Sequence, residues 1–219
     1  QLSSIQMREE LLQEQAPAII LNKARLASLR AQLPFELTET QARSLDEVLA
    51  DLAKPTPMNR LLQGDVGSGK TAVAAIAALA TASCGYQAVF MAPTEVLARQ
   101  HYHSITKTFP KFAGGVALVT ASEIRTYDGE GLETKITRKK LTERLERADA
   151  PMIIIGTHAL IAQTRTKPDG TRTEPEETKK SGRKIKFKNL GIVIIDEQHR
   201  FGVSQRQALA RRQHEKARS

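Results

Sequence analysis

Apolar residues along this chain follow two alternating rhythms. Short apolar runs occur at 58–63, 87–91, 116–119, 152–155 and 191–195. Between several of these runs the apolar residues take helical spacing. After Gly69, for instance, Val73, Ile76, Ala77 and Ala80 fall on one side of a helix, and a second helix is predicted from Thr94 to about residue 108. A strand that is apolar on both faces needs cover on both faces, which a parallel sheet between helices supplies. The predicted fold class is therefore α/β, a parallel sheet flanked by helices.

Ahead of this alternation, residues 1–33 are rich in helix formers, with Leu26, Leu29 and Leu33 on one helical face and Pro17 dividing the run. They predict a helical lead-in, with the α/β unit occupying 34–219. Two segments, 121–135 and 163–188, interrupt the rhythm with Thr, Gly, Glu and Lys and few apolar residues. Both are expected to be surface excursions.

Composition narrows the picture. With 219 residues, 40% of them hydrophobic, the chain can bury a core of ordinary size. It contains no uncharged apolar run of about eighteen residues, so no membrane-spanning helix is expected. A single cysteine, Cys84, excludes a disulfide framework and a thiol metal site, and fits a cytoplasmic setting. The net charge of +9 suggests a polyanionic partner such as nucleic acid. Its distribution weakens that suggestion, because 165–188 and 199–219 each carry +5 and everything else sums to −1. The chain starts at Gln1 without an initiator Met and ends in a polar run, as an excised fragment of a larger protein would.

Two stretches carry chemistry. Gly64, Asp65, Val66, Gly67, Ser68, Gly69, Lys70 and Thr71 match the phosphate-loop pattern GxxxxGK[ST], between an expected strand and an expected helix. Glycines let the loop wrap so that amide N–H groups face phosphate oxygens, and the helix N-terminus adds its dipole. Lys70 supplies positive charge, and the Thr71 hydroxyl can bind Mg²⁺. An accidental glycine-rich turn is the bland alternative, and eight fitting positions in context argue against it. The second stretch, GIVIIDEQH over 191–199, delivers Asp196 and Glu197 to the carboxyl end of a strand, where open α/β sheets bind ligands. Asp196 is expected to hold Mg²⁺ and Glu197 to polarise an attacking water. A strand ending in an ordinary acidic turn would look the same in isolation, but not beside an intact phosphate loop.

GDVGSGKT together with DEQH resembles the superfamily 2 helicases and translocases. Residues 35–41, from Phe35 to Gln41, resemble the adenine-reading Q motif; APTEVLARQH at 92–101 resembles motif Ia; and GTHAL at 156–160 resembles a later DNA-contacting motif. DEQHRFGVSQR at 196–206, with PFELT at 34–38, is most similar to the RecG-type branched-DNA helicases of bacteria. The transcription-repair coupling factor shares the APT, GTH and RFGV elements, but its box typically reads DEEQ. EELLQEQ at 9–15 resembles the segment joining the wedge domain of RecG-type helicases to their motor, while the insertion at 163–184 is longer than that family usually carries.

The resemblance implies a RecA-like first motor lobe using ATP and Mg²⁺. In it Lys70, Asp196, Glu197 and His199 would be catalytic, with Thr71 and Asp196 on the metal. Gln41 would read adenine, with Phe35 flanking it. Gln198 and His199 would report the γ-phosphate to the DNA-contacting loops, whose candidates here are Thr94, Arg99, Thr157 and His158. The implied partners are branched double-stranded DNA met in recombination and repair, a second RecA-like lobe and a wedge domain of the same polypeptide, and single-stranded DNA-binding protein. Without a Ser/Thr-Ala-Thr motif or arginine fingers, this chain alone is expected to bind ATP weakly and hydrolyse little. The rival functions are a coupling-factor-type double-stranded DNA translocase, a small-molecule kinase and a non-catalytic nucleic-acid-binding derivative. The DExH, APT and GTH elements oppose the kinase; intact Lys70, Thr71, Asp196 and Glu197 oppose the derivative.

Weaker features have bland readings. TKPD at 166–169 matches a guanine-reading pattern but precedes the acidic strand, where a GTPase would not place it. The basic run 179–188 reads as a solvated loop more readily than as a phosphate track. His101, His103 and His158 form no credible metal set, and surface solvation accounts for Arg99 and His101 as well as phosphate contact does. Cys84, after a run of alanines, reads as a small half-buried residue.

Overall fold

The structure is a computed structural model that describes residues 15–65, 67–112, 114–129, 131–147, 151–157, 160, 185 and 187–196. Its elements, in chain order, are α1 (Lys23–Ala31), α2 (Glu39–Leu52), α3 (Lys70–Ser83), β1 (Gln87–Met91), α4 (Glu95–Thr108), β2 (Val116–Val119), β3 (Ile124–Tyr127), β4 (Glu133–Lys135), α5 (Arg138–Leu145), β5 (Met152–Gly156) and β6 (Leu190–Ile195). Among the described residues the strands form one sheet in the order β4-β3-β2-β5-β1-β6.

The central strands meet the expectation. β1 pairs in parallel with β5 and β6, and β2 in parallel with β5. Every residue of β1, β2 and β5 is buried, as two-sided cover demands. Alternate side chains go to opposite faces. Ala88, Phe90, Leu118, Ile153 and Ile155 pack with residues of α3 and α4, whereas Val89, Met91, Ala117 and Ile154 pack with Leu141 and Leu145 of α5.

α3 occupies a middle layer. Its Ala-rich sequence is buried at Val73 and from Ala75 to Ala82, between the sheet on one side and α1 and α2 on the other. Leu45, Val73 and Ile76 form a small cluster between α2 and α3. The lead-in joins the same packing. Ile19 is buried, its N–H donating to Leu52 O at 2.8 Å. Gly191 of β6 is required there, because a Cβ would fall 2.7 Å from Thr81 Cγ2 and 2.9 Å from Ile19 Cδ1.

Three expectations are corrected. First, the sheet is mixed: β3 pairs antiparallel with β2, and β4 antiparallel with β3. Residues 121–135 are thus an edge hairpin rather than a surface excursion. Tyr127 is buried in it, donating through Oη to Pro110 O at 2.9 Å and accepting from Gly131 N–H at 3.2 Å. Second, 58–63 joins no ladder. Side chains hold it instead: Leu62 packs against the α2–α3 cluster, and Arg60 donates to Asp51 and Glu47 of α2 at 2.6–2.9 Å. Third, the 163–188 segment is not all surface, since Ile185 and Phe187 are buried in the core on the α5 side. Residues 163–184 lie outside the described residues. Among the described residues no helix is long and apolar enough to cross a membrane.

Candidate nucleotide site

The site starts with the placement of α3. A tight turn through Cys84 and Gly85 brings the end of α3 to the start of β1, with Tyr86 N–H donating to Thr81 O at 3.3 Å. The helix therefore runs antiparallel to β1. Its 14 residues span about 21 Å and carry its N-terminus to the carboxyl edge of the sheet. No side chain caps that N-terminus; Gly69 stands at the N-cap with φ +80°. Its first amides and its dipole are suited to an anion.

The loop ahead of the helix is held from within and from α2. Lys70 Nζ donates to Gly64 O and Asp65 O, each at 2.7 Å, and lies 3.5 Å from Ser68 Oγ. Ser68 N–H donates to Asp65 O at 3.1 Å. From α2, Gln41 Nε2 donates to Ser68 O at 2.8 Å. The same Gln41 completes a capping box: its Oε1 accepts from Thr38 N–H at 3.0 Å, and its own N–H donates to Thr38 Oγ1 at 3.3 Å. Glycine is obligatory at 69, where a Cβ would overlap Gln41 Nε2 on a backbone already left-handed. Thr71 is exposed in the first turn of α3, and Phe35 is half exposed.

Three strand ends face the same edge. Met91 is level with Gly156 of β5 and with Ile195 of β6, so β1, β5 and β6 finish flush. Thr94, Thr157 and Asp196 follow those ends. Thr94 caps α4, accepting from Leu97 N–H at 3.3 Å, and Thr157 is buried. Asp196 N–H donates to Met91 O at 2.8 Å, which fixes the acid's backbone to β1. Its Oδ2 lies 2.9 Å from His101 Nε2.

Arg99 belongs to a network on α4. It pairs with Glu95 at 3.4 Å and with Glu123, and it donates to Ser122 Oγ at 2.9 Å. Burial alone would raise the Glu95 carboxyl, but hydrogen bonds from Ser122, Ala121 N–H and Arg99 outweigh it and hold the carboxyl below its usual value. Arg99 therefore ties α4 to the β2–β3 turn, a role that two acidic partners explain better than solvation does. Cys84 is half-buried as expected, and burial pushes its thiol up.

Sequence reasoning missed His101. It is buried, with its ring centroid 4.7 Å from that of Phe90, and the solvated-surface reading of it is overturned. The signal was present in the helical spacing, since His101 lies three residues from Ala98 and four from Ile105, both buried. Val66, His158, Glu197, Gln198 and His199 lie outside the described residues.

A mostly parallel sheet with a glycine loop feeding a helix N-terminus at its carboxyl edge defines a RecA-like phosphate-loop lobe. The chain belongs to the DEAD/DEAH box helicase family, which matches residues 38–218. Among curated relatives, the ATP-dependent DNA helicase RecG of Aquifex aeolicus is 39% identical over 209 residues, covering 95% of this chain and 22% of the relative. The protein of the same name from Bacillus subtilis is 46% identical over 177 residues, covering 81% of this chain and 21% of the relative. The chain thus spans about a fifth of the length of these relatives. Among solved structures, RecG bound to a three-way DNA junction superposes with TM-score 0.68 at 35% identity, over 92% of this chain and 23% of that one. The UvsW helicase of bacteriophage T4, at TM-score 0.53 and 14% identity, covers 93% of this chain and 59% of its own and shares the fold.

Proposed function

We propose that this chain is the nucleotide-binding first motor lobe of an ATP-dependent DNA helicase that remodels branched double-stranded DNA in recombination and repair. One observation carries the reading. The backbone bond from Asp196 to Met91 sets the acid at the same sheet edge as the N-terminus of α3, beside the strand exits that lead to Thr94 and Thr157. Residues 1–33 are the linker from a wedge domain and 34–219 the lobe. The relatives' name and the junction-bound structure support branched DNA as the substrate, and the cytoplasm, with single-stranded DNA-binding protein as a further partner, fits that role.

The residues divide the work by their chemistry. The loop amides and Lys70 grip the phosphates, Gln41 holds the loop and faces the base with its remaining hydrogen-bonding capacity, and Glu197 takes the water. Thr71 and Asp196 offer hard oxygen donors, the set that suits Mg²⁺. The ion, when bound, neutralises phosphate charge. His199 and Gln198 relay the phosphate state toward Thr94, Thr157 and His158. Arginine fingers supplied by a second lobe would add about 10³–10⁵ in rate, so in this reading full hydrolysis depends on that lobe and weak binding with slow hydrolysis is expected of this chain by itself.

The test is Lys70→Ala in the full-length parent, assayed on forked DNA. Unwinding should be lost, and its survival would refute the motor reading. An ATPase rate in the isolated chain matching that of an intact helicase with DNA would refute the dependence on a second lobe.

A further inference from the structure

The contact between His101 and Asp196 joins the last residue of the APTEVLARQH stretch to the first of the DEQH box, a pairing across 95 residues that neither motif contains by itself. Among the described residues, Asp196 is held from two elements. Its backbone N–H is fixed to Met91 O at the end of β1, and its carboxylate meets His101 Nε2 from α4 at 2.9 Å. The imidazole is itself immobilised, buried and tilted at 41° against the Phe90 ring of β1. A backbone bond alone leaves both side-chain torsions of an aspartate adjustable. A charge-assisted N–H···O⁻ bond from a ring that cannot move sets the direction of the carboxylate as well.

We infer that His101 is a positioning residue that orients the Asp196 carboxylate for Mg²⁺, as outer-shell hydrogen bonds orient metal-binding carboxylates generally. The inference rests on the assignment of Asp196 to the metal in the proposed function. It adds a mechanical link: Thr94 caps α4 about two turns before His101, so the metal-facing acid and a DNA-contact candidate are held by one helix.

Mn²⁺ binding followed by electron paramagnetic resonance, with ADP present, tests this on the whole chain without relying on hydrolysis. His101→Phe keeps the packing against Phe90 and removes the donor. His101→Gln keeps a donor and alters the ring packing. Positioning predicts that Mn²⁺ affinity falls about 10–100-fold in the Phe variant and stays near native in the Gln variant, with metal-free ADP affinity equal in both. A packing role predicts the reverse order. Native Mn²⁺ affinity in His101→Phe, or a Gln variant as impaired as the Phe one, overturns the inference. Asp196→Asn separates the two levels. If it binds Mn²⁺ as the native chain does, the metal assignment fails and the inference with it; if it is defective while His101→Phe is native, only the inference fails.

Discussion

Gln41 does two jobs that one isosteric change can separate. Its Oε1 caps the Thr38 N–H, and its Nε2 holds the Ser68 carbonyl of the phosphate loop. Gln41→Glu keeps an oxygen for the cap and adds a negative charge in the first turn of α2, which the helix dipole favours by about 0.3–1 kcal/mol. The second carboxylate oxygen, however, faces the Ser68 carbonyl, so the loop loses its bond and gains a repulsion. A lost hydrogen bond with its acceptor left against a like partner costs about 1–2 kcal/mol, or ~5–30-fold in nucleotide affinity. Fluorescent-nucleotide titration of the native chain and the variant, with ATP and GTP analogues competing, reads this directly. Both nucleotides should weaken, because the loop holds phosphates common to both, while the thermal midpoint stays near native. Unchanged affinity for both would refute the loop-holding role, and a loss confined to ATP would make Gln41 a reader of the base alone. Base reading remains chemically open to it, since a glutamine amide has two N–H donors and two acceptor lone pairs and these contacts use one of each.

Three further outcomes follow from the same geometry. Lys70→Ala should leave the loop carbonyls of Gly64 and Asp65 without their shared donor and abolish measurable nucleotide binding by calorimetry. Tyr127→Phe removes two hydrogen bonds from the β3–β4 hairpin and should cost about 1–2 kcal/mol, lowering the melting midpoint by roughly 2–8 °C; no change would mean the hairpin is peripheral. The Asp51 carboxyl is held below its usual value by hydrogen bonds from Lys54 and Arg60. Its contribution to stability is therefore present above the unfolded value of about 3.9 and fades as pH falls through the lower folded value. Asp51→Asn should reduce the urea midpoint at pH 7 and narrow its difference from the native chain at pH 3.

The central fold was legible because β1, β2, β5 and β6 are apolar on both faces, a pattern with few structural meanings. The edge was not. In β3, Ile124, Arg125, Thr126 and Tyr127 alternate too briefly to register, and β4 is the exposed tripeptide Glu133-Thr134-Lys135. What makes them strands is an available neighbour, and hydrogen bonding to a neighbour leaves no mark on composition. The reverse error occurred at 58–63, where apolar residues signal burial of Leu62 rather than pairing, and Leu61 is exposed. The site divides in the same way. The phosphate loop and Asp196 announce themselves through residue type, whereas the hold of Gln41 on Ser68 and of His101 on Asp196 spans 27 and 95 residues of chain and appears only on folding.

The alanines of α3 have a consequence outside every motif. Small side chains let this helix lie close to the strands beneath it and to α1 and α2 above, and an alanine gives up no rotamer freedom when buried. The distance from the phosphate loop to the ends of β1 and β6 is thereby set by the thickness of methyl groups at Ala75 and Ala78, which lie on the opposite face of the helix from Val73 and Ile76. A substitution to valine or leucine at either of these positions would lift the helix and shift the loop relative to Asp196. Such a variant would surface in a genetic screen as a nucleotide-affinity defect, although a motif scan would pass it as wild type.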